Sequence, residues 1–289
     1  MWSPGSISPA ASKYDILLSF VQLTEENSRF VTSGLVIFLA FQSLRTWLRI
    51  LLDYSSGKIW LDKDESQRAA WNRFPEKTVL LLVLLMIASQ LFPMNRDTER
   101  TEMTPGALVA YLVFSGGLIA LLWGILATSE RSILEYGIRF REFASQVRDG
   151  CDGFFLAFLP TGILMIATAA IRTTENQNPL LTLLSGADNI GTILGIFFSA
   201  VVFAPLYEEL AFRVILQGWL TTFLNPTAAI SIVAVIFAAV HGLTDGIALL
   251  PLAGLLGYVY YRRHSYVAVL VIHGLFNATM LALALLSKQ

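Results

Sequence analysis

Eight apolar segments alternate with polar stretches along the chain, at roughly 31–52, 78–94, 106–127, 152–171, 190–212, 226–242, 247–262 and 265–286. Each approaches the ~20 mostly apolar residues that a helix needs to cross a bilayer. Segment 78–94 carries no charge, and 152–171 carries none after Asp152. The first segment ends on Arg45 and Arg49, whose long side chains can reach back to a membrane interface. Residues 1–14 are polar, and the apolar run Ile16–Leu23 reads as neither a span nor a cleavable signal. The pattern predicts an all-α fold, a polytopic membrane helix bundle of about eight transmembrane helices.

Composition agrees with that reading. Charged residues make up 14% of the 289 and hydrophobic ones 55%, whereas a soluble domain is about a quarter charged. An ordinary cytosolic enzyme and a disordered chain are both excluded. A net charge of −1 provides no basic field, so nucleic acid is not an expected partner. Cys151 is the single cysteine, which rules out a disulfide framework and a CxxC metal site.

Charge also orders the chain. The loops after the first, third and seventh segments hold most of the Lys and Arg, including Lys58, Arg139, Arg148, Arg262 and Arg263. The positive-inside rule then places these loops in the cytoplasm and both ends of the chain outside. All but three of the 21 acidic residues precede residue 190. We therefore divide the chain into a polar N-terminal segment (1–30), N-terminal transmembrane helices with charged loops (31–189) and a helical core (190–289). The mixed-charge stretch 55–77 is expected on the membrane surface. So is 130–150, where Leu134, Ile138, Phe140 and Phe143 alternate with arginines.

Three constellations stand out in the last hundred residues. The first is Glu208-Glu209-Leu-Ala-Phe-Arg213, inside an apolar run. An ionisable residue at the centre of a membrane helix costs about 2.5–3.5 kcal/mol unless it is partnered. Glu209 and Arg213 stand at i, i+4 with the acid N-terminal, the favoured orientation for a pair. Glu208 lies about 100° round the helix and is left to face something else, as a general base would. The second constellation is Phe237 with His241 and the third His273 with Asn277, each at i, i+4. Intramembrane polar groups face the bundle interior, so Glu208, His241, His273 and Asn277 are expected to meet in one polar cavity.

Each element also has a plain structural reading. A Glu–Arg pair can be glue between helices, a buried His can serve a carbonyl, and an Asn can bond across to a neighbour. A proton-coupled transporter would use intramembrane Glu and His as well, and a non-catalytic scaffold or immunity protein could carry the same residues. Asp245, beside Gly246, reads as a turn residue. Gly191 and Gly195 read as a close-packing GxxxG. Lysine is absent between Lys77 and Lys288, and no serine sits in a GxSxG context, which disfavours Ser–Lys and lipase-like mechanisms.

Taken together, EELAFR at 208–213, FAAVH at 237–241 and HGLFN at 273–277 fit EExxxR, FxxxH and HxxxN. Their order and spacing resemble the CAAX-processing and bacteriocin-processing (CPBP or Abi) intramembrane proteases, over about residues 190–289. The resemblance implies a glutamate-type endopeptidase acting on a peptide or protein substrate in or near the bilayer. It further implies that Glu208 activates water with help from His241, that His273 and Asn277 stabilise the oxyanion, and that Glu209 and Arg213 hold the geometry, with Phe237 part of the second motif. No metal or other cofactor is expected: HExxH is absent, and a zinc set of one Glu and two His would have to come from three helices. That zinc reading stays open. A short polar N-terminus without a targeting peptide is compatible with a bacterial inner membrane, the expected location, and an endoplasmic reticulum protein would look the same.

Overall fold

Local chemistry sets several helix starts. Thr104 precedes Pro105, and its Oγ1 accepts from the Ala107 N–H at 3.1 Å. Asn225 precedes Pro226, and its Oδ1 accepts from Ala228 N–H at 2.9 Å. The Asn189 Oδ1 accepts from Thr192 N–H at 2.8 Å. In each case a short polar side chain satisfies an N–H that the first helical turn leaves unpaired, and proline fits where no N–H is needed.

The computed structural model describes residues 25–61, 76–91, 104–128, 133–139, 142–171, 179–187 and 189–287. Among them the order is α1 (Glu25–Ser55), α2 (Glu76–Leu91), α3 (Pro105–Ala127), a 3-10 turn (Ile133–Tyr136), α4 (Phe143–Ala167), α5 (Pro179–Ser185), α6 (Ile190–Leu220), α7 (Pro226–Val240), α8 (Leu243–Arg263) and α9 (Tyr266–Ser287). No strand occurs among the described residues. The fold is the all-α membrane bundle that the hydropathy pattern predicts. Among the described residues five helices, α1, α3, α4, α6 and α9, are long and apolar enough to cross a membrane, beside the eight or so expected of the whole chain from the pattern. Two of the other expected segments fall short for visible reasons: α7 has 15 residues, and α8 carries Asp245, Arg262 and Arg263.

One apolar core runs from Leu39 in α1 to Phe276 in α9 and takes in residues of α2, α3, α4, α6, α7 and α8. Buried residues of α6, α7, α8 and α9 thus share this core with those of the earlier helices. Helices α4 and α9 approach closely because Gly150 and Gly153 face Val271 and Ile272, whose atoms lie 2.6 Å from where a Cβ would stand. This corrects the surface reading of 130–150: residues 143–150 are the first turns of α4, with Gln146 and Gly150 buried, and Ile138 packs on the core. Leu134 and Phe143 are exposed as expected. Phe140, most of 1–30 and residues 62–75 lie outside the described residues. Of the GxxxG pair, Gly195 packs on Leu108 of α3, whereas Gly191 meets only its own capping Asn189.

Helix α7 turns sharply into α8 through Gly242, at φ +83°, a conformation that glycine adopts without strain. Four residues on, Gly246 lies against the α7 backbone, where an added Cβ would stand 2.1 Å from the Ala238 carbonyl oxygen. Gly246→Ala is expected to push α8 away from α7 and to destabilise the protein by about 1–3 kcal/mol. A thermal unfolding midpoint in detergent equal to wild type would contradict this packing.

Candidate active site

Helix α6 is not a uniform α-helix. Its stretches Ser199–Phe203 and Leu210–Gln217 are π-helical, flanking the α-helical Ala204–Glu209. The Ala204 N–H reaches back five residues to Ser199 O, so Ala200 O loses its usual i+4 donor. Pro205 next to it has no N–H to offer. Ala200 O accepts instead from Asn277 Nδ2 of α9, at 2.8 Å. π-Turns of this kind occur often at functional sites, and here one supplies the anchor of a predicted site residue.

Glu209 and Arg213 form the expected pair. Arg213 Nε lies 3.1 Å from Glu209 Oε2, with both side chains fully buried. The contact is a charge pairing without hydrogen-bond alignment, since no guanidinium nitrogen has a hydrogen-bond partner among the described residues. The guanidinium also lies 5.0 Å from the Phe237 ring centroid, a cation–π contact. The second oxygen of Glu209 faces His273 Nδ1 at 2.7 Å. A carboxylate only accepts, so Nδ1 carries the proton and Nε2 points the other way.

Glu208 takes the adjacent face. Its Oε2 stands 3.7 Å from His241 Nε2 and 3.8 Å from His273 Nε2. That oxygen is buried and has no direct hydrogen-bond partner among the described residues. His241 caps the C-terminus of α7 rather than lying inside a helix as the apolar pattern predicts, and its Nδ1 meets Phe237 O at 2.7 Å. A carbonyl only accepts, so Nδ1 of His241 is also the protonated nitrogen. Both imidazoles thus turn Nε2 toward one carboxylate oxygen, at separations too long for direct hydrogen bonds. A water oxygen between them can bridge Glu208 Oε2 to an imidazole Nε2 across either gap. Phe237 holds the group together: its ring lies 4.5 Å from His241, 5.9 Å from His273 and 5.1 Å from Phe212.

Glu208, His241, His273 and Asn277 line one cavity of about 430 Å³. Glu209 and Arg213 lie behind it and do not line it. Two further polar residues do, and neither stands out as a site residue in the sequence. Asp245, which reads there as a turn residue, lies in the first turn of α8, and Tyr111 comes from α3. Asp245 stands four residues after His241, a spacing that could have drawn attention to it. Tyr111 gives no signal beyond being a polar ring in an apolar segment. The remaining wall is apolar, with Leu249, Phe276 and Met280 prominent. Cys151 does not line the cavity; it lies in α4 beside the Arg49–Asp152 ion pair of 2.7 Å. Among the described residues, no group of three His, Cys, Asp or Glu is arranged to hold a metal ion.

Compared with known proteins, residues 190–279 match the model of the type II CAAX prenyl endopeptidase Rce1-like family. The matched stretch contains all three motifs and the whole of α7 and α8. At the level of that family, the match supports a CAAX-protease-like endopeptidase, a peptide substrate and an integral membrane protein. No curated protein and no solved structure matches the chain.

Proposed function

We propose that this chain, which carries an Rce1-like domain at 190–279, is an intramembrane endopeptidase in which Glu208 and His241 activate a water molecule. The observation that carries the reading is the buried Oε2 of Glu208, faced by two imidazole Nε2 atoms at 3.7 and 3.8 Å. In the proposed reaction Glu208 removes a proton from water while His241 Nε2 accepts a hydrogen bond from the same molecule. The oxygen attacks the peptide carbonyl carbon, and the carbonyl π pair moves onto its oxygen. Collapse of that intermediate breaks the C–N bond, and the proton held by Glu208 passes to the leaving nitrogen.

The oxyanion needs donors already in place. Asn277 Nδ2 uses one hydrogen on Ala200 O and keeps a second. His273 Nε2 donates when the ring is an imidazolium. Glu208 and Glu209 balance Arg213 and that imidazolium, so the buried cluster is neutral both before attack and with the oxyanion formed. Asn277→Ala is expected to lower kcat by about 10²–10³-fold with little change in KM. A KM change alone would contradict a role in the transition state.

No metal step enters this mechanism. The test incubates the purified full chain with a mixture of quenched peptides, prenylated members included, with and without EDTA. Cleavage that survives EDTA is the expected result. Loss of cleavage in EDTA with recovery on adding zinc would replace the proposal with a metalloprotease in which Glu208, His241 and His273 are ligands.

A further inference from the structure

Helix α3 lies outside the matched stretch 190–279, yet it supplies part of the cavity wall through Tyr111. From Pro105 to Ala127 the helix carries no charged residue. Tyr111 and Ser115 stand four residues apart on the face that Leu108 and Leu122 bury in the bundle. Two close contacts fix this face against α6. A Cβ added to Gly195 of α6 would stand 2.9 Å from Leu108, and one added to Gly116 would stand 3.3 Å from the Phe203 ring. Tyr111 lies between Leu108 and Gly116 on α3 and shares the cavity with Ala200, Ala204 and Glu208 of α6.

The Tyr111 hydroxyl feels the Glu208 carboxylate and has the Ser115 side chain beside it. A second phenol near Glu208, Tyr207, is engaged elsewhere: its hydroxyl donates to Met86 Sδ of α2 at 3.5 Å, and it does not line the cavity. Among the described lining residues, Tyr111, His241, His273 and Asn277 have side chains with neutral or cationic hydrogen-bond donors. His241 Nδ1 already meets Phe237 O, and the proposed reaction uses His273 and Asn277 at the oxyanion. Tyr111 is left. A peptide entering the cavity gives up water, and a backbone carbonyl without a new donor there costs free energy. The Leu249, Phe276 and Met280 wall offers no donor.

We infer that Tyr111 is a substrate-binding residue of the active site, its hydroxyl donating to a backbone carbonyl of the bound polypeptide beside the scissile bond. The inference rests on the proteolytic reading above. Both oxyanion donors of that reaction come from α9, so the donor on α3 serves a neighbouring carbonyl and acts in the ground state and the transition state alike. A helix outside the matched stretch thus completes the site.

The test measures binding as well as turnover, on the full chain in one detergent. A fluorescent prenylated peptide with a CAAX C-terminus is titrated into Glu208→Gln protein, with Tyr111 intact or as Tyr111→Phe, which removes the hydroxyl and keeps the ring. Kd is expected to rise about 3–10-fold with the thermal unfolding midpoint unchanged. With Glu208 present, Tyr111→Phe is expected to raise KM for the same peptide by a similar factor and to leave kcat within about two-fold. Equal Kd in the two proteins, or binding to neither, would overturn the inference. So would a weaker Kd accompanied by a lowered midpoint, because packing would then explain both. A fall in kcat at unchanged KM would also overturn it and make Tyr111 an oxyanion donor. Binding weakened by Tyr111→Phe, without hydrolysis of the peptide by wild type, would uphold the contact and overturn the proteolytic reading.

Discussion

Arg213→Ala is expected to remove most of the folded protein. Glu209 and Arg213 have no exposed surface, and truncating one member leaves the other as an uncompensated charge. Such losses cost about 3–5 kcal/mol, against a net stability of about 5–15 kcal/mol for a typical domain. The guanidinium also packs on Phe237 at 5.0 Å, so the truncation leaves a void beside the ring that positions both histidines. The informative control is Glu209→Gln combined with Arg213→Met, which removes both charges at similar volume and is expected to recover folded yield. It should not recover activity, because His273 would lose the anion that its Nδ1 faces at 2.7 Å. Folded yield and thermal midpoint in detergent check both statements; an Arg213→Ala protein as stable as wild type would mean that the pair does not hold the site.

Glu208→Gln should behave oppositely. Glu208 belongs to no closed ion pair, its side chain is 20% exposed in the cavity, and glutamine fills the same space. Folding is expected to be unchanged, while loss of the base lowers the rate of hydrolysis by about 10²–10⁴-fold. Glu208→Asp keeps the charge but draws the carboxylate back from imidazoles that are 3.7 and 3.8 Å away. A displacement of about 1 Å can cost about 10²-fold, so this variant should fall between wild type and glutamine.

The two adjacent glutamates show how much of the site is legible in the sequence. Helical spacing alone separates Glu209, paired with Arg213, from Glu208, turned elsewhere, and the distances keep that division. Spacing does not reveal why Asn277 is anchored. That depends on a five-residue backbone bond from Ala204 to Ser199, which no side-chain periodicity records. His241 reads as helical because its segment stays apolar to residue 242; it caps the helix because Gly242 ends it and Gly246 brings α8 directly against Ala238. Asp245 next to a glycine looks like ordinary turn chemistry, and only that close helix approach makes it part of the cavity wall. Tyr111 reaches the site from a helix far off in sequence, a proximity that is set by tertiary packing alone. The reading of 130–150 as a surface element fails for a related reason. Its apolar residues do alternate with arginines, but glycines at 150 and 153 draw that stretch into contact with α9.

The most direct test of the hydrolytic centre compares wild type with Glu208→Gln, purified in the same detergent at equal folded concentration, against one quenched-peptide mixture. Our account predicts cleavage by wild type, with the glutamine protein slower by about 10²–10⁴-fold and both unfolding at the same temperature. Equal cleavage by the two proteins would contradict it, because the carboxylate oxygen facing His241 and His273 would then have no part in the chemistry.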